Sequence, residues 1–312
     1  MELNHGSILE LMPELGGLEL TIDELKGGIT NKLYRVKSSD GHDLVVRLYG
    51  RKTELFIDRE VEMENIRRME PTGVTPRLVK YLPDRRVTVV EFIPGYVLGN
   101  EDFLREELWE KIVRPIRIIH ESGVTLPNHF NPLVEVKRMY RILSGMKPDY
   151  PEFEIERTIE ILEKIDRQAK VTPDQYVSCH NDLLADNFIL VDDREKYGEP
   201  MYLIDWEYAG MSTPYYDIAD MFQEILVPRE TEAEILRVYW RGKDLDHHIY
   251  MTDLFKPFPD IYWFLWSLIQ HNISTIDFDF YTYGRVKYEN ARGNIQYLND
   301  HYGLSGRGQI DV

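Results

Sequence analysis

The sequence predicts an α+β chain of two lobes, a small β-rich lobe over residues 1–93 and a larger, mainly helical lobe over residues 94–312. Three observations carry this. Short runs of alternating apolar and polar residues crowd the first third, a pattern of period two that marks strands. From Glu106 onward the apolar residues recur at helical spacing. Between helical stretches, a loop rich in Asn and Asp at 180–187 is bracketed by short strand-like runs.

Residues 18–25 and 33–37 alternate on either side of Gly27-Gly28, which reads as a hairpin. Asp43 to Tyr49 is a third strand rich in β-formers. Phe56 to Met69 is helical, with Ile57, Val61, Glu64 and Arg68 at helical spacing, and Pro71-Thr72-Gly73 stops it. Residues 77–82 and 86–92 are two more strands, and the hinge between lobes falls at Glu91-Phe92-Ile93-Pro94-Gly95. Helices are expected at 109–120, 133–144 and 153–169, followed by a short strand at 176–179. Strands 188–191 and 201–204 flank a polar turn, and helices return at 217–226, 230–242, 260–272 and 285–300. The chain shows no internal repeat and no low-complexity tract.

With 312 residues and 43% apolar content, the chain has enough material for a sizeable core. Lys and Arg number 37 against 54 Asp and Glu, a formal charge of -17. Nucleic acid and anionic membrane surfaces attract basic patches, so neither is expected as a partner. The acidic balance suits a cationic substrate. One cysteine, Cys179, excludes an intrachain disulfide and fits a reducing compartment. The N-terminus lacks a signal-peptide pattern, and no run approaches eighteen uncharged apolar residues. The expectation is a cytoplasmic protein without stable membrane insertion.

The chemistry is concentrated in His180-Asn181-Asp182-Leu183-Leu184-Ala185-Asp186-Asn187 and in Asp205 beyond the next hairpin. An Asp, an Asn five residues on, and a second Asp closing a hairpin is the spacing by which kinase-like folds assemble a base and two metal ligands. Asn and Asp are also ordinary turn residues. The preceding strand, the offset to Asn187 and the position of Asp205 together favour the catalytic reading. His180 is expected to brace the loop, and Cys179 to be a small buried residue. Thr30 and Asn31 follow the Gly-Gly turn, where a backbone approaches phosphate oxygens closely, although such a turn also simply closes a hairpin. No Walker lysine motif occurs.

Arg47 sits among apolar residues in the third strand, and a buried cation needs a partner. Glu62 on the following helix is the candidate, by analogy with the strand Lys and helix Glu of kinase folds. Glu207 lies two residues beyond Asp205, on the same side of an extended segment, where it reaches a second metal or a substrate amine. Asp217 and Asp220 open a helix, where acidic residues complement the macrodipole, and Asp217 more plausibly supports the catalytic loop. Glu224, on that same helix, reads by default as part of a solvated face. Trp263 and Trp266 share one face of an apolar helix, a stripe that is ordinarily core. Lining a pocket instead, they would offer electron-rich faces to a cation. Tyr283 follows in an aromatic and acidic tail.

With these residues assembled, the chain resembles the choline/ethanolamine kinase family, and ethanolamine kinases in particular. The likeness rests on residues 27–32, on 45–50 with arginine at 47, and on Lys52-Thr53-Glu54-Leu55 and Glu62. It extends through 180–184 with Asn187, 204–208, 265–270 and 274–280, and is poor over 100–175 apart from His120. The resemblance implies that Asp182 is the general base, assisted by Arg47. It implies that Asn187 and Asp205 bind Mg²⁺, with Glu207 as a further ligand or an amine contact. ATP would be held by Thr30, Asn31, Arg47 and Glu62, with hinge contacts from Glu91, Phe92 and Ile93. Glu224, Trp263, Trp266 and Tyr283 would line the amine pocket.

The expected activity is transfer of the γ-phosphoryl group of ATP to ethanolamine, a small amino alcohol. Choline-preferring relatives carry an aromatic residue just after the helix glutamate, whereas Ile225-Leu226-Val227-Pro228-Arg229 has none. A primary ammonium relies more on carboxylates than on an aromatic cage. The alternatives are a choline kinase, an aminoglycoside-type phosphotransferase, or an inactive nucleotide- or amine-binding sensor. Protein kinase activity is disfavoured, because Asp205-Trp206-Glu207 replaces Asp-Phe-Gly and no Ala-Pro-Glu segment is recognisable. The sequence does not fix oligomeric state and leaves a homodimer open.

Overall fold

A computed structural model of the chain describes residues 3–25, 31–50 and 53–303. Helix α1 (His5–Leu11) is capped by Asn4, whose side chain accepts from the Ser7 N–H. It lays Ile8 and Leu11 on the first sheet. Seven residues are too few for a periodic signal, so the sequence pattern misses this helix.

That sheet holds β1 (Leu20–Leu25), β2 (Lys32–Ser38), β3 (Asp43–Leu48), β4 (Leu78–Leu82) and β5 (Val87–Glu91), all antiparallel, in the order β1-β2-β3-β5-β4. Alternation along β3 sends Leu44 and Val46 into the core beneath α1 and leaves Arg47 on the opposite face, where it meets Glu62. Helix α2 (Arg59–Met69), between β3 and β4, starts three residues later than expected. Asp58 ends extended and caps it, accepting from the Glu60 and Val61 N–H groups. Phe56 and Ile57 are thereby freed from the helix and are buried in the core of the other lobe.

The chain leaves the first sheet at Glu91 and joins a second at Gly95. There β6 (Gly95–Val97) pairs with β8 (Phe188–Val191), which pairs with β9 (Met201–Leu203). A third, two-stranded ladder joins β7 (Val177–Cys179) to β10 (Gly210–Ser212). Both β6 and β10 have three residues and escape pattern reading.

The helices of this lobe are α3 (Glu106–Glu121), α4 (Pro132–Gly145), α5 (Ile155–Ala169), α6 (Arg194–Tyr197), α7 (Pro214–Ile225), α8 (Arg229–Tyr239), α9 (Leu245–Phe255), α10 (Pro257–Ile273) and α11 (Phe280–Tyr302). The one-turn α6 lies in the turn read as polar, and α9 was not expected. Proline in the first turn of α7 and of α10 extends both helices N-terminally, since its missing N–H costs nothing there. Helix α10 is mostly apolar and buried from Pro257 to Gln270, with Asp260 and Ser267 on the same side. Helix α11 packs on it so closely that a Cβ at Gly284 would lie 2.0 Å from Ser267 Oγ. Among the described residues, no helix is long and apolar enough to cross a membrane.

Gly95 stands where the chain passes between sheets. A Cβ there would sit 2.4 Å from the Leu190 carbonyl oxygen and 2.7 Å from Ile189 Cγ2. Backbone cannot yield as a side-chain tip can, so Gly95→Ala is expected to cost about 1–3 kcal/mol of stability in equilibrium denaturation. An unchanged midpoint and slope would contradict the close approach.

Candidate active site

A buried carboxylate holds the start of the loop after β7. Asp217, in the first turn of α7, accepts the N–H of His180 through Oδ2 at 2.9 Å and that of Asn181 through Oδ1 at 2.7 Å. Its Oδ2 also meets His120 Nε2 at 2.8 Å, at the end of α3. Burial alone would raise the Asp217 carboxyl, but His120 and the loop N–H groups outweigh it and hold it below its ordinary value. Asn181 sits at φ 63, a left-handed conformation that Asn tolerates, and its side chain donates to the Tyr208 carbonyl at 3.1 Å. His180 braces the loop as expected, with Nε2 donating to the Ile204 carbonyl at 2.9 Å. Cys179 is buried.

Asp182 is displayed between these anchors. Leu183 N–H donates to Asp220 Oδ2 at 2.8 Å, and Asn187 Nδ2 donates to the Asp182 carbonyl at 2.8 Å. Asp182 Oδ1 is buried with no hydrogen-bond partner, while Oδ2 lies 3.4 Å from Asn187 Nδ2. Burial pushes this carboxyl well above its ordinary value, and Asp220, Asp205, Glu207 and Glu224 push the same way.

Asp205 follows β9 in a left-handed conformation, φ 66, which turns its carboxylate back toward β3. Arg47 Nη1 lies 2.9 Å from Asp205 Oδ1 and 3.0 Å from Glu62 Oε1, and its Nη2 donates to Glu207 Oε2. Burial disfavours the guanidinium, yet these three carboxylates hold it firmly protonated. A second arginine, Arg59, shares the load: Nη1 lies 2.6 Å from Glu62 Oε2 and 2.9 Å from Glu207 Oε2. The sequence reading passed over Arg59. Its spacing of three from Glu62 on α2 was the available signal.

Glu62, Asp205 and Glu207 bring carboxylate oxygens within 4.8 Å of one another. Asp205 Oδ1 and Glu62 Oε1 are buried facing the Arg47 guanidinium without an aligned hydrogen bond, and Asn187 has its amide nitrogen committed, which leaves its carbonyl oxygen as an acceptor. Hard oxygen donors at this density fit Mg²⁺. The structure brings Asn187, Asp205 and Glu207 to one side of Asp182, and Arg47 with Glu62 beside them.

On the other side of the base lies an acidic cluster with aromatic walls. Helix α7 carries Asp220 and Glu224 on one face. Asp220 Oδ1 accepts from Trp263 Nε1 at 2.8 Å. Glu224, read from sequence as part of a solvated face, is buried instead, with Oε1 2.6 Å from Lys287 Nζ of α11. Asp260 of α10 completes the group, 3.9 Å from the same ammonium. Burial raises Asp220 and Asp260 well above ordinary carboxyl values, and Glu224 adds to both shifts. Tyr283 borders the cluster, its hydroxyl pushed far up by burial and by Glu224, Asp220 and Asp182. Trp263 and Trp266 belong to the core, as a helical stripe usually does, with ring centroids 5.9 Å apart. Lys287 had no place in the sequence reading.

The remaining predicted residues are more scattered. Thr30 lies outside the described residues, as do Gly27, Gly28 and Lys52. Asn31 accepts from the Gly50 N–H at 3.2 Å, tying the hairpin to the end of β3. Glu91 ends β5, Phe92 carries the Arg35 guanidinium 3.5 Å over its ring, and Ile93 is buried against Ile189, Val191 and Tyr202.

Residues 22–240 match the family described as Choline/ethanolamine kinase. Ethanolamine kinase 2 of Mus musculus is 30% identical over 311 residues, covering 90% of this chain and 78% of its own. Among solved structures, a choline/ethanolamine kinase family protein from Mesorhizobium loti superposes with a TM-score of 0.78 at 25% identity, covering 96% of each chain. Choline kinase LicA from Streptococcus pneumoniae superposes with a TM-score of 0.77, also at 25% identity, covering 94% of this chain and 98% of its own.

Removing the loop's anchor is a direct test of the geometry. Asp217→Ala strands two buried N–H groups and the His120 imidazole, and is expected to cost about 3–5 kcal/mol in chemical denaturation. Because the folded Asp217 titrates below its unfolded value, this contribution is complete above the ordinary carboxylate range and is lost as pH falls through it. A loss under about 1 kcal/mol, the worth of one ordinary hydrogen bond, would contradict the anchoring role.

Proposed function

This chain belongs to the choline/ethanolamine kinase family, and on that premise we propose that it transfers the γ-phosphoryl group of ATP to the hydroxyl of ethanolamine, with Asp182 as general base. The observation that carries the choice of substrate is the charge balance beside the base. Glu224 and Asp260 flank a buried ammonium, Lys287, and Asp220 lies within electrostatic reach of both carboxylates. Three carboxylates against one cation, with two of them pushed toward protonation, make a site that gains by taking up a further cation. The indole of Trp263 and the ring of Tyr283 add electron-rich faces.

In this reading the ammonium end of the substrate rests among Glu224, Trp263, Trp266 and Tyr283, which directs the hydroxyl toward Asp182. Asp182 takes the hydroxyl proton as the oxygen attacks the γ-phosphorus. The bond to the β–γ bridging oxygen breaks, and ADP leaves with the electron pair. A carboxyl raised by burial is a stronger base than a solvated one, which suits it to an alcohol proton. Arg47 serves the phosphates with its charge, kept in place by Glu62. Asn187, Asp205 and Glu207 would hold Mg²⁺, which supplies neutralisation of phosphate charge when bound. Asn31 lies just before β2, and along Glu91 to Ile93 the Glu91 and Phe92 N–H groups are donated to the Arg77 and Asp43 carbonyls, which leaves the Ile93 N–H to meet adenine.

Ethanolamine is favoured over choline on physical grounds. The segment after Glu224 contributes no aromatic face, and its Leu226 points into solvent, 60% exposed. A primary ammonium donates three hydrogen bonds, whereas a trimethylammonium donates none and depends on a complete cage.

Two measurements test this reading. Coupled ADP release across a panel of alcohols should give a kcat/KM for ethanolamine about tenfold or more above choline, a difference near 1.4 kcal/mol, with uncharged diols poorer still. A preference for an uncharged alcohol would sink the cation pocket. Asp182→Ala should lower kcat by about 10²–10⁴-fold while nucleotide affinity survives. Near-normal turnover in that variant would remove Asp182 from the role.

A further inference from the structure

The carboxylate assigned to the substrate amine already has an ammonium against it. Lys287 Nζ lies 2.6 Å from Glu224 Oε1, donates to the Gln223 carbonyl at 2.8 Å and stands 3.9 Å from Asp260 Oδ1. The lysine is 4% exposed, so its charge depends on these partners. Gln223 and Glu224 sit in the last turn of α7, where carbonyl groups lack intrahelical donors. Lys287 therefore caps this helix end and grips Glu224 at once. The grip is reinforced by Asn294, whose Nδ2 donates to Gln223 Oε1 at 2.6 Å and to Asp260 Oδ2 at 3.1 Å.

We propose that Lys287 is a positioning residue for amine recognition, fixing Glu224 by one oxygen so that the other is presented to the substrate ammonium. This deepens the reading of the cluster as the amine pocket and rests on it. Two ammonium groups then share Glu224, one from the protein and one from the substrate. Burial and Glu224 hold Asp220 and Asp260 toward their protonated forms; a second cation favours their ionisation, which offsets the repulsion between the two ammonium groups. Lys287 acts through Glu224 and touches no reacting atom, so it governs amine affinity rather than the chemical step.

The test uses the full chain with Lys287→Gln, which keeps a donor for the Gln223 carbonyl but removes the charge, beside Lys287→Met and Lys287→Arg. The neutral variants should raise KM for ethanolamine about tenfold or more, leaving kcat and KM for ATP within about threefold. Arginine should restore the amine KM. The upward Tm shift that ethanolamine gives the wild type should shrink in parallel, a binding readout independent of turnover. Glu224→Gln should raise the amine KM as much, and adding Lys287→Gln to it should do little more. A folded Lys287→Gln with unchanged amine KM overturns the proposal. So does a uniform decline of all three kinetic constants with Tm, which would make Lys287 a purely structural ion pair. Should both neutral variants fail to fold, Lys287→Arg decides: an amine KM no better than that of Glu224→Gln overturns it. A wild type without amine-dependent turnover would instead sink the reading of the pocket itself, which an active wild type with an indifferent Lys287→Gln leaves standing.

Discussion

Asp217 is the carboxylate around which the helical lobe organises its chemistry. It is fully buried, and it gathers His120 from α3 and two consecutive N–H groups from the loop after β7. An ionised group in that position is tolerable only because each oxygen is engaged. The result is a loop whose conformation, left-handed Asn181 included, is set from beneath. Asp182 is then left with Oδ1 buried and unpartnered, because backbone N–H groups and not its own side chain hold the loop. Asp220, one turn further along α7, extends the same device by accepting Leu183 N–H and Trp263 Nε1. One helix face thus supports the loop with Asp217, joins it to α10 with Asp220, and joins α11 with Glu224.

The surroundings of this loop are rich in opposing charge, in two groups that both act on Asp182. On the strand side, Arg47 and Arg59 face Glu62, Asp205 and Glu207. Arg59 belongs to α2 of the first lobe and Glu207 to the second, so their pair ties the lobes together. Phe56 adds an apolar tie, its ring centroid 6.4 Å from that of Trp266. On the α10–α11 side, carboxylates outnumber cations more strongly. Both groups hold more carboxyl groups than cations.

Much of this was legible in the sequence where the determinants are local. Alternation marked β1 to β5, helical spacing marked most of the long helices, and Asp182, Asn187 and Asp205 declared themselves by spacing across a hairpin. The misses share a physical cause. Helix α1 and strands β6 and β10 are too short for periodicity, and their stability comes from packing and pairing with distant segments. Asp58 moved the start of α2, a cap whose competition with the apolar pattern at Phe56 and Ile57 only tertiary burial decides. Lys287 and Glu224 are 63 residues apart, and nothing in either local pattern announces the other. Arg59 was hidden similarly, since a charged residue on a helix looks solvated until its partner is known, and His120 stood out only by resemblance, without its partner Asp217.

The destination of the γ-phosphoryl group decides the role of this site. Phosphorus NMR of the enzyme with ATP, Mg²⁺ and ethanolamine follows that group directly. The prediction is loss of the γ-phosphate signal of ATP matched by equal growth of a phosphomonoester resonance, that of phosphoethanolamine, with ADP accumulating in step. Appearance of inorganic phosphate alone, at a rate indifferent to ethanolamine, would contradict it.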